Sequence, residues 1–404
     1  MNILYLSTDF PFPLTSGGRG RAYNMLKALS LNHIITMVSF HSYPVSDSEV
    51  EAMKSICREI VLVPLNLRHS VALFIKSLLT NVPYKVLQFT SQEFRTKVET
   101  LLAIQKIDVI FSESVYLAPY LLNHNIPSIS QNNDMFFNVY KRISEQGDFI
   151  MRLYSKTQWK KILAYEKEVY GKVGVFIALS REEVELVKTH IPSIRVGFIP
   201  NGVNIEYYTP MNEIQEPFSI VLTGAYSYFP NEQSALFFAK KVFPGIKKMF
   251  PTSKFYIVGK NPTDSIKKLT ADHSIIVTGE VQDMRPHLAK AEIVVAPVLI
   301  AGGTRNKILE AMAMRKPIVS TSIGCEGLNV QHEKNIFVAD GAENFKNGVI
   351  RLFQDKQLAS KIAQGGRTLV ESEYRWDVIG AQFNEFLSQY VNEKSSTLGK
   401  DVNK

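Results

Sequence analysis

The sequence predicts an α/β protein built from two doubly wound, parallel-sheet domains facing a cleft. Three observations predict it. Short apolar runs alternate with helical periodicities along the chain. The pattern starts again after the turn-rich segment Pro200-Asn-Gly-Val-Asn204. A length of 404 residues exceeds one ordinary core and suits two domains.

In the first half, strands are expected at 2–6, 34–40, 61–63, 108–111, 128–130 and 175–179, with a helix over 20–31 and a long polar helical block over 140–170. In the second half, strands are expected at 218–222, 254–258, 275–277, 293–296, 318–320 and 336–338. Helices there fall at 231–249, 284–289 and 304–314, and most strands run into a helix or a glycine turn. The expected division is 1–202 for the first domain and 203–376 for the second. A helix over 377–392 crosses back to the first domain, and 393–404 forms a polar tail. Ligands of open α/β sheets bind at the carboxyl ends of the strands, so the cleft is the expected site.

Composition narrows the function. With 45% hydrophobic and 21% charged residues the chain is globular, and its longest apolar runs fall short of a membrane span. The start Met1-Asn-Ile-Leu-Tyr-Leu-Ser7 enters a strand directly, without a basic leader, and Cys57 and Cys325 fall in different domains. A cytoplasmic location is expected from both. The net charge of +8 is spread over both halves, without the dense basic stripe that nucleic-acid binding leads one to expect. An anionic substrate or an anionic membrane surface suits it equally. The run Val71-Ala-Leu-Phe-Ile-Lys-Ser-Leu-Leu79 reads either as ordinary core or as an exposed apolar helix in peripheral contact with the inner face of a membrane.

The most informative segment is Pro297–Ser320. A strand leads into Gly302-Gly-Thr-Arg305, then a helix with Lys307 and Glu310, then Pro317 and another strand. Cations in a first helical turn oppose the helix dipole unless an anion sits there. Paired glycines, free helix N–H groups and two cations suit a phosphate or diphosphate. The plain alternative is a strand-loop-helix unit with tolerated surface cations. The counterpart in the first half is the loop after the first strand, with Gly17 and Gly18. It either lets backbone N–H groups approach an anion or is an ordinary turn. It does not complete a dinucleotide fingerprint, because the third glycine position holds Tyr23 and the second strand ends Ser39-Phe-His41 without an acid.

These residues, with Ser16-Gly-Gly18, Ile199-Pro-Asn-Gly-Val203, Pro210, Val258-Gly259, Val277-Thr-Gly-Glu-Val281, Asp283, Lys307-Ile-Leu-Glu-Ala-Met-Ala313, Pro317-Ile-Val319 and Glu326-Gly327, resemble the retaining nucleotide-sugar glycosyltransferases of family four, which have the GT-B fold. The likeness runs over essentially the whole chain. Gly-Gly-Thr-Arg-x-Lys before the glutamate is similar to a subgroup of cell-surface and exopolysaccharide assembly. The resemblance implies that Glu310 binds the ribose hydroxyls, a task suited to two acceptor oxygens. Arg305 and Lys307 would then neutralise the diphosphate as it leaves. Gly302, Gly303 and Thr304 would add backbone donors, and Gly224 and Val281 would lie against the nucleotide. The solvated helix carboxylate is the alternative for Glu310.

Departures from the family pattern are visible. A second glutamate expected eight positions before Glu310 is Gly302. The stretch Thr223–Asn231 lacks the usual Arg and Lys, so Arg305 and Lys307 are expected to supply their charge. A first-domain histidine is replaced within Gln131-Asn132-Asn133-Asp134, whose Asn132, Asn133 and Asp134 become the acceptor-side candidates. By resemblance no metal or other cofactor is required. The expected reaction moves a hexose from a nucleoside-diphosphate sugar to a glycan or lipid-linked acceptor with retention. A nucleotide-sugar epimerase of the same fold and a non-catalytic nucleotide-binding homologue remain open.

Overall fold

The computed structural model describes residues 1–14, 17–66, 70–122, 124–132, 135–146, 149–300 and 306–401. Two compact units form: Met1–Pro200 together with Trp376–Lys404, and Asn201–Arg375.

The first unit holds a seven-stranded parallel sheet: β1 Asn2–Ser7, β2 Ile34–His41, β3 Glu59–Pro64, β4 Val109–Ser112, β5 Ser128–Gln131, β6 Val175–Ala178 and β7 Val196–Phe198. Their order is β3-β2-β1-β4-β5-β6-β7. Each strand foreseen in this half is present; β7 was not foreseen. It is a three-residue edge strand with Gly197 in its middle, too short and too broken to carry a periodicity. Both faces of the sheet are covered, so the strands read as continuous apolar runs rather than alternations. Leu4, Leu6, Val38 and Phe40 enter one core cluster, while Ile3, Tyr5, Ile35 and Met37 enter the other.

The polar block foreseen over 140–170 is two helices, Phe136–Gln146 and Phe149–Tyr170. The closing helix runs Trp376–Asp401, so it continues through the stretch expected to be a polar tail. Ile379, Phe383, Leu387 and Tyr390 on it share a core with Ile3, Tyr5, Met25 and Leu29. It crosses the helix Gly17–Ser30 closely at Gly380, where an added Cβ would stand 2.5 Å from the Ala28 side chain. Its end over 393–401 lacks an apolar stripe in sequence, which is why periodicity alone stopped the helix early.

The second unit holds β8 Ser219–Thr223, β9 Lys254–Val258, β10 Ile275–Gly279, β11 Ile293–Ala296, β12 Ile318–Ser320 and β13 Phe337–Val338, in the order β10-β9-β8-β11-β12-β13. Every pairing is parallel. The helix foreseen over 231–249 is Phe229–Phe237 and Phe243–Met249, joined by a wider π turn at Phe238–Val242. Pro244 lacks the N–H that an unbroken α-helix needs there, and the wider turn absorbs the gap. Among the described residues no helix is long and apolar enough to cross a membrane.

Candidate active site

In each sheet the strand order reverses at one place, between β1 and β4 and between β8 and β11. Loops leaving the carboxyl ends of two such strands diverge and open a crevice.

In the second unit, β8 ends at Thr223 and passes into Gly224 and Ala225. The Gly224 N–H donates to the Val258 carbonyl at 3.1 Å. Gly259 has φ +142, and a Cβ there would lie 1.8 Å from the Gly224 carbonyl oxygen. Only glycine suits that backbone approach. The next helix carries Asn231, whose Nδ2 donates to the Ala225 carbonyl at 2.9 Å. Lys307 comes from the other side of the switch point, on the helix Asn306–Ala313 that follows β11. Its Nζ donates to Asn231 Oδ1 at 2.9 Å. A Cβ at Gly224 would lie 3.5 Å from that Nζ, so the cation stands directly over the glycine loop.

One turn after Lys307 stands Glu310, half-buried. Burial raises its carboxyl above the usual range, against the pull of a hydrogen bond with Tyr208 and the Lys307 charge. The Tyr208 hydroxyl is raised by burial and then by the Glu310 charge. Arg367 fastens the Tyr208 segment, donating to the Tyr208 carbonyl at 3.1 Å and to the carbonyl of Ala313 at the end of the same helix. Beside it, Arg285 clasps Asp283 at 2.7 and 3.0 Å and lies 3.9 Å from the Tyr207 ring centroid. That clasp is the main reason the Asp283 carboxyl titrates below its ordinary range. Val281, in the turn after β10, packs half-buried against the apolar cluster containing Leu288 and Val258.

Gly302, Gly303, Thr304 and Arg305 lie outside the described residues, as do Asn133 and Asp134. Of the second-unit candidates, Gly224, Lys307 and Glu310 are brought to the switch point. Asn231 and Tyr208 join them, and sequence reasoning assigned neither a role. Asn231 carried a usable signal, being a polar side chain in the first turn after a glycine loop. Tyr208 carried none, because it lies some hundred residues from Glu310 in the chain.

In the first unit, Gly17 and Gly18 open the helix Gly17–Ser30. Next to them Arg19 pairs with Asp9 at 2.7 Å and lies over the Tyr43 ring at 4.5 Å. Asn132 is buried, and both ends of its amide are engaged inside the unit: Oδ1 accepts from the Val115 N–H at 2.7 Å, and Nδ2 donates to the Tyr170 hydroxyl. Its side chain therefore ties the end of β5 to the segment after β4. Glu113, just past β4, was not foreseen. It accepts from Ser7 Oγ at 2.7 Å, from the Thr8 N–H at 2.7 Å and from Thr8 Oγ1 at 2.8 Å, fixing the loop that leaves β1. Burial raises its carboxyl, with those donors opposing. An acidic residue at the end of a buried strand was the signal available for it.

Residues 217–355 match the family described as Glycosyl transferases group 1. A Klebsiella pneumoniae relative, "Uncharacterized 44.6 kDa protein in cps region", is 20% identical over 387 residues, 92% of this chain and 96% of that protein. The Mycobacterium tuberculosis "GDP-mannose-dependent alpha-(1-6)-phosphatidylinositol monomannoside mannosyltransferase" is 29% identical over 159 residues, 36% of this chain and 41% of that protein. The structure of Anabaena HepE in complex with UDP and glucose superposes with a TM-score of 0.68 at 15% identity, covering 96% of this chain and 100% of that one. Residues 217–355 thus resemble the glycosyl transferases group 1 family, in a chain whose two parallel sheets have the GT-B fold.

Proposed function

We propose that the protein is a retaining, metal-independent hexosyltransferase that takes its sugar from a nucleoside diphosphate and passes it to a glycan or lipid-linked acceptor of the cell surface. One observation carries the reading: Lys307 reaches from the helix after β11 to the glycine loop after β8, with Glu310 one turn behind it. A cation beside backbone that a Cβ would crowd suits a diphosphate, and a carboxylate one turn away suits a ribose. Lys307, with Arg305 two residues before it in the sequence, balances the charge that builds on the departing diphosphate. Glu310 fixes the nucleoside, which sets the anomeric carbon relative to those cations. The departing diphosphate takes the acceptor proton on the face it leaves, so the sugar keeps its configuration. The cytoplasm, where nucleotide sugars are made, is the proposed place of action.

Support for the donor class comes from the UDP and glucose bound by the Anabaena protein and from the GDP-mannose dependence in the mycobacterial enzyme's name. The cps region of the Klebsiella relative supports a cell-surface product. The test is a panel of UDP- and GDP-sugars, with and without lipid-linked acceptors, read as nucleoside-diphosphate release. Acceptor-dependent release of one nucleotide is expected. Failure of both UDP and GDP to bind would overturn the proposal.

A further inference from the structure

The helix Val71–Leu79 in the first unit has its polarity inverted. Ser77 is its one buried residue, while Val71, Phe74, Ile75, Leu78 and Leu79 are exposed, Val71 at 73% and Leu79 at 82%. An amphipathic helix at the surface of a globular unit normally turns its apolar stripe inward. This one is nonetheless firmly anchored. Ser70 Oγ caps its start by accepting from the Leu73 N–H at 3.2 Å. Ser77 Oγ donates to the Val82 carbonyl at 3.2 Å. Lys161 from the helix Phe149–Tyr170 closes its end, donating to the Thr80 carbonyl at 2.9 Å. Phe74 stacks on Tyr154 of that helix with ring centroids 6.3 Å apart. The same neighbouring helix adds Phe149, 82% exposed, and Leu153, 61% exposed.

The charge on the two patch-forming stretches has one sign, although Glu145 on the neighbouring helix Phe136–Gln146 and Asp148 just before Phe149 are acidic. Segments 70–88 and 149–165 contain no Asp or Glu, and Lys76, Arg152, Lys156 and Lys160 are exposed on the two helices. A second copy of the chain docked here would set these cations against their own counterparts, since a twofold interface repeats the same patch on both sides. A surface that offers anionic headgroups above an apolar interior answers both features at once.

We propose that this patch is a membrane-docking surface, with the helix Val71–Leu79 and Phe149 sunk into the acyl boundary and Lys76, Arg152, Lys156 and Lys160 paired with anionic headgroups. The inference goes beyond the transferase reading and does not depend on it. Its test is co-sedimentation of the full chain with vesicles of phosphatidylcholine alone or mixed with phosphatidylglycerol. Binding to the mixed vesicles, weakened by salt, is expected. The double variant Lys156→Glu/Lys160→Glu loses about fivefold for each charge removed. The double variant Leu79→Asp/Phe149→Asp loses about tenfold or more, since two apolar anchors leave the acyl boundary. All four side chains are exposed, so thermal unfolding and nucleoside-diphosphate affinity stay at the parent values. Absence of binding to either vesicle overturns the proposal. So does a dimer in sedimentation velocity that Leu79→Asp dissociates, because the patch would then be a subunit interface. A chain that binds vesicles without any transferase activity would sink the functional reading and leave this one standing.

Discussion

Lys307 and Asn231 sit on helices that follow two different strands, and the 2.9 Å bond from the Lys307 Nζ to the Asn231 Oδ1 spans the point where the second sheet reverses its order. Asn231 is itself held by the Ala225 carbonyl, so the ammonium has a fixed position before any ligand arrives. Preorganised charge of this kind loses little freedom on binding.

Replacing Lys307 by Ala is expected to weaken UDP or GDP binding by about 1.5–3 kcal/mol, the worth of a hydrogen bond to a charged group. Asn231→Ala keeps the cation but releases it, and about 0.5–1.5 kcal/mol is expected. Titration calorimetry on both variants reads the two losses. Equal affinity in Lys307→Ala and parent would remove the diphosphate from this position.

Tyr208→Phe deletes a hydroxyl that holds the Glu310 carboxyl down against its burial. The Glu310 pKa therefore rises further, and the acidic limb of nucleotide binding moves to higher pH in the variant. Affinity at alkaline pH changes little. A profile that keeps its acidic limb in place would show that Glu310 ionisation does not govern binding.

Gly259→Ala places a methyl group 1.8 Å from the Gly224 carbonyl oxygen at a backbone φ of +142. Strain and displacement of the loop after β8 are both expected, costing about 2–4 kcal/mol in denaturant unfolding. Gly279→Ala is the control: its φ is +71, but nothing lies within 4 Å of the added Cβ. That variant should lose clearly less, about 1–2 kcal/mol. Equal losses would remove the Gly224 contact as the cause.

Asp272 is held down to about 2, first by the Lys247 ammonium at 2.6 Å and then by Ser274. The folded pKa lies below the unfolded value of about 3.9, so this pair's stabilisation is present above that value. It is lost as the pH falls toward about 2. The pair is over a third exposed, which limits its worth to less than about 1 kcal/mol. Asp272→Asn should therefore lower the urea midpoint slightly at neutral pH and flatten its decline in acid. An unchanged acid slope would assign the decline to other carboxylates.

Strand-by-strand, the fold was legible because sheets covered on both faces leave unbroken apolar runs such as Ile293–Ala296 and Phe218–Leu222. The edge strand Val196–Phe198 escaped because three residues around a glycine leave no run to read. Lys307 stood out through a local mismatch, cations in a first helical turn, and Glu310 only through the family resemblance. Tyr208 was not, since its bond to Glu310 is made by tertiary packing and no local pattern encodes it. Asn132, a polar residue at a strand end, has both ends of its amide engaged with Val115 and Tyr170, a pairing no local pattern encodes. The inverted helix Val71–Leu79 was ambiguous in sequence because apolarity alone does not say which way a short helix faces.

The chain leaves the first unit at Pro200 and returns to it at Trp376. During synthesis the amino-terminal unit therefore lacks Ile379, Phe383, Leu387 and Tyr390 until after the residues of the second unit have been made. The unit made second has all its own residues first. A chain cut before residue 376 would carry every residue of the later unit while the earlier one lacked its closing helix.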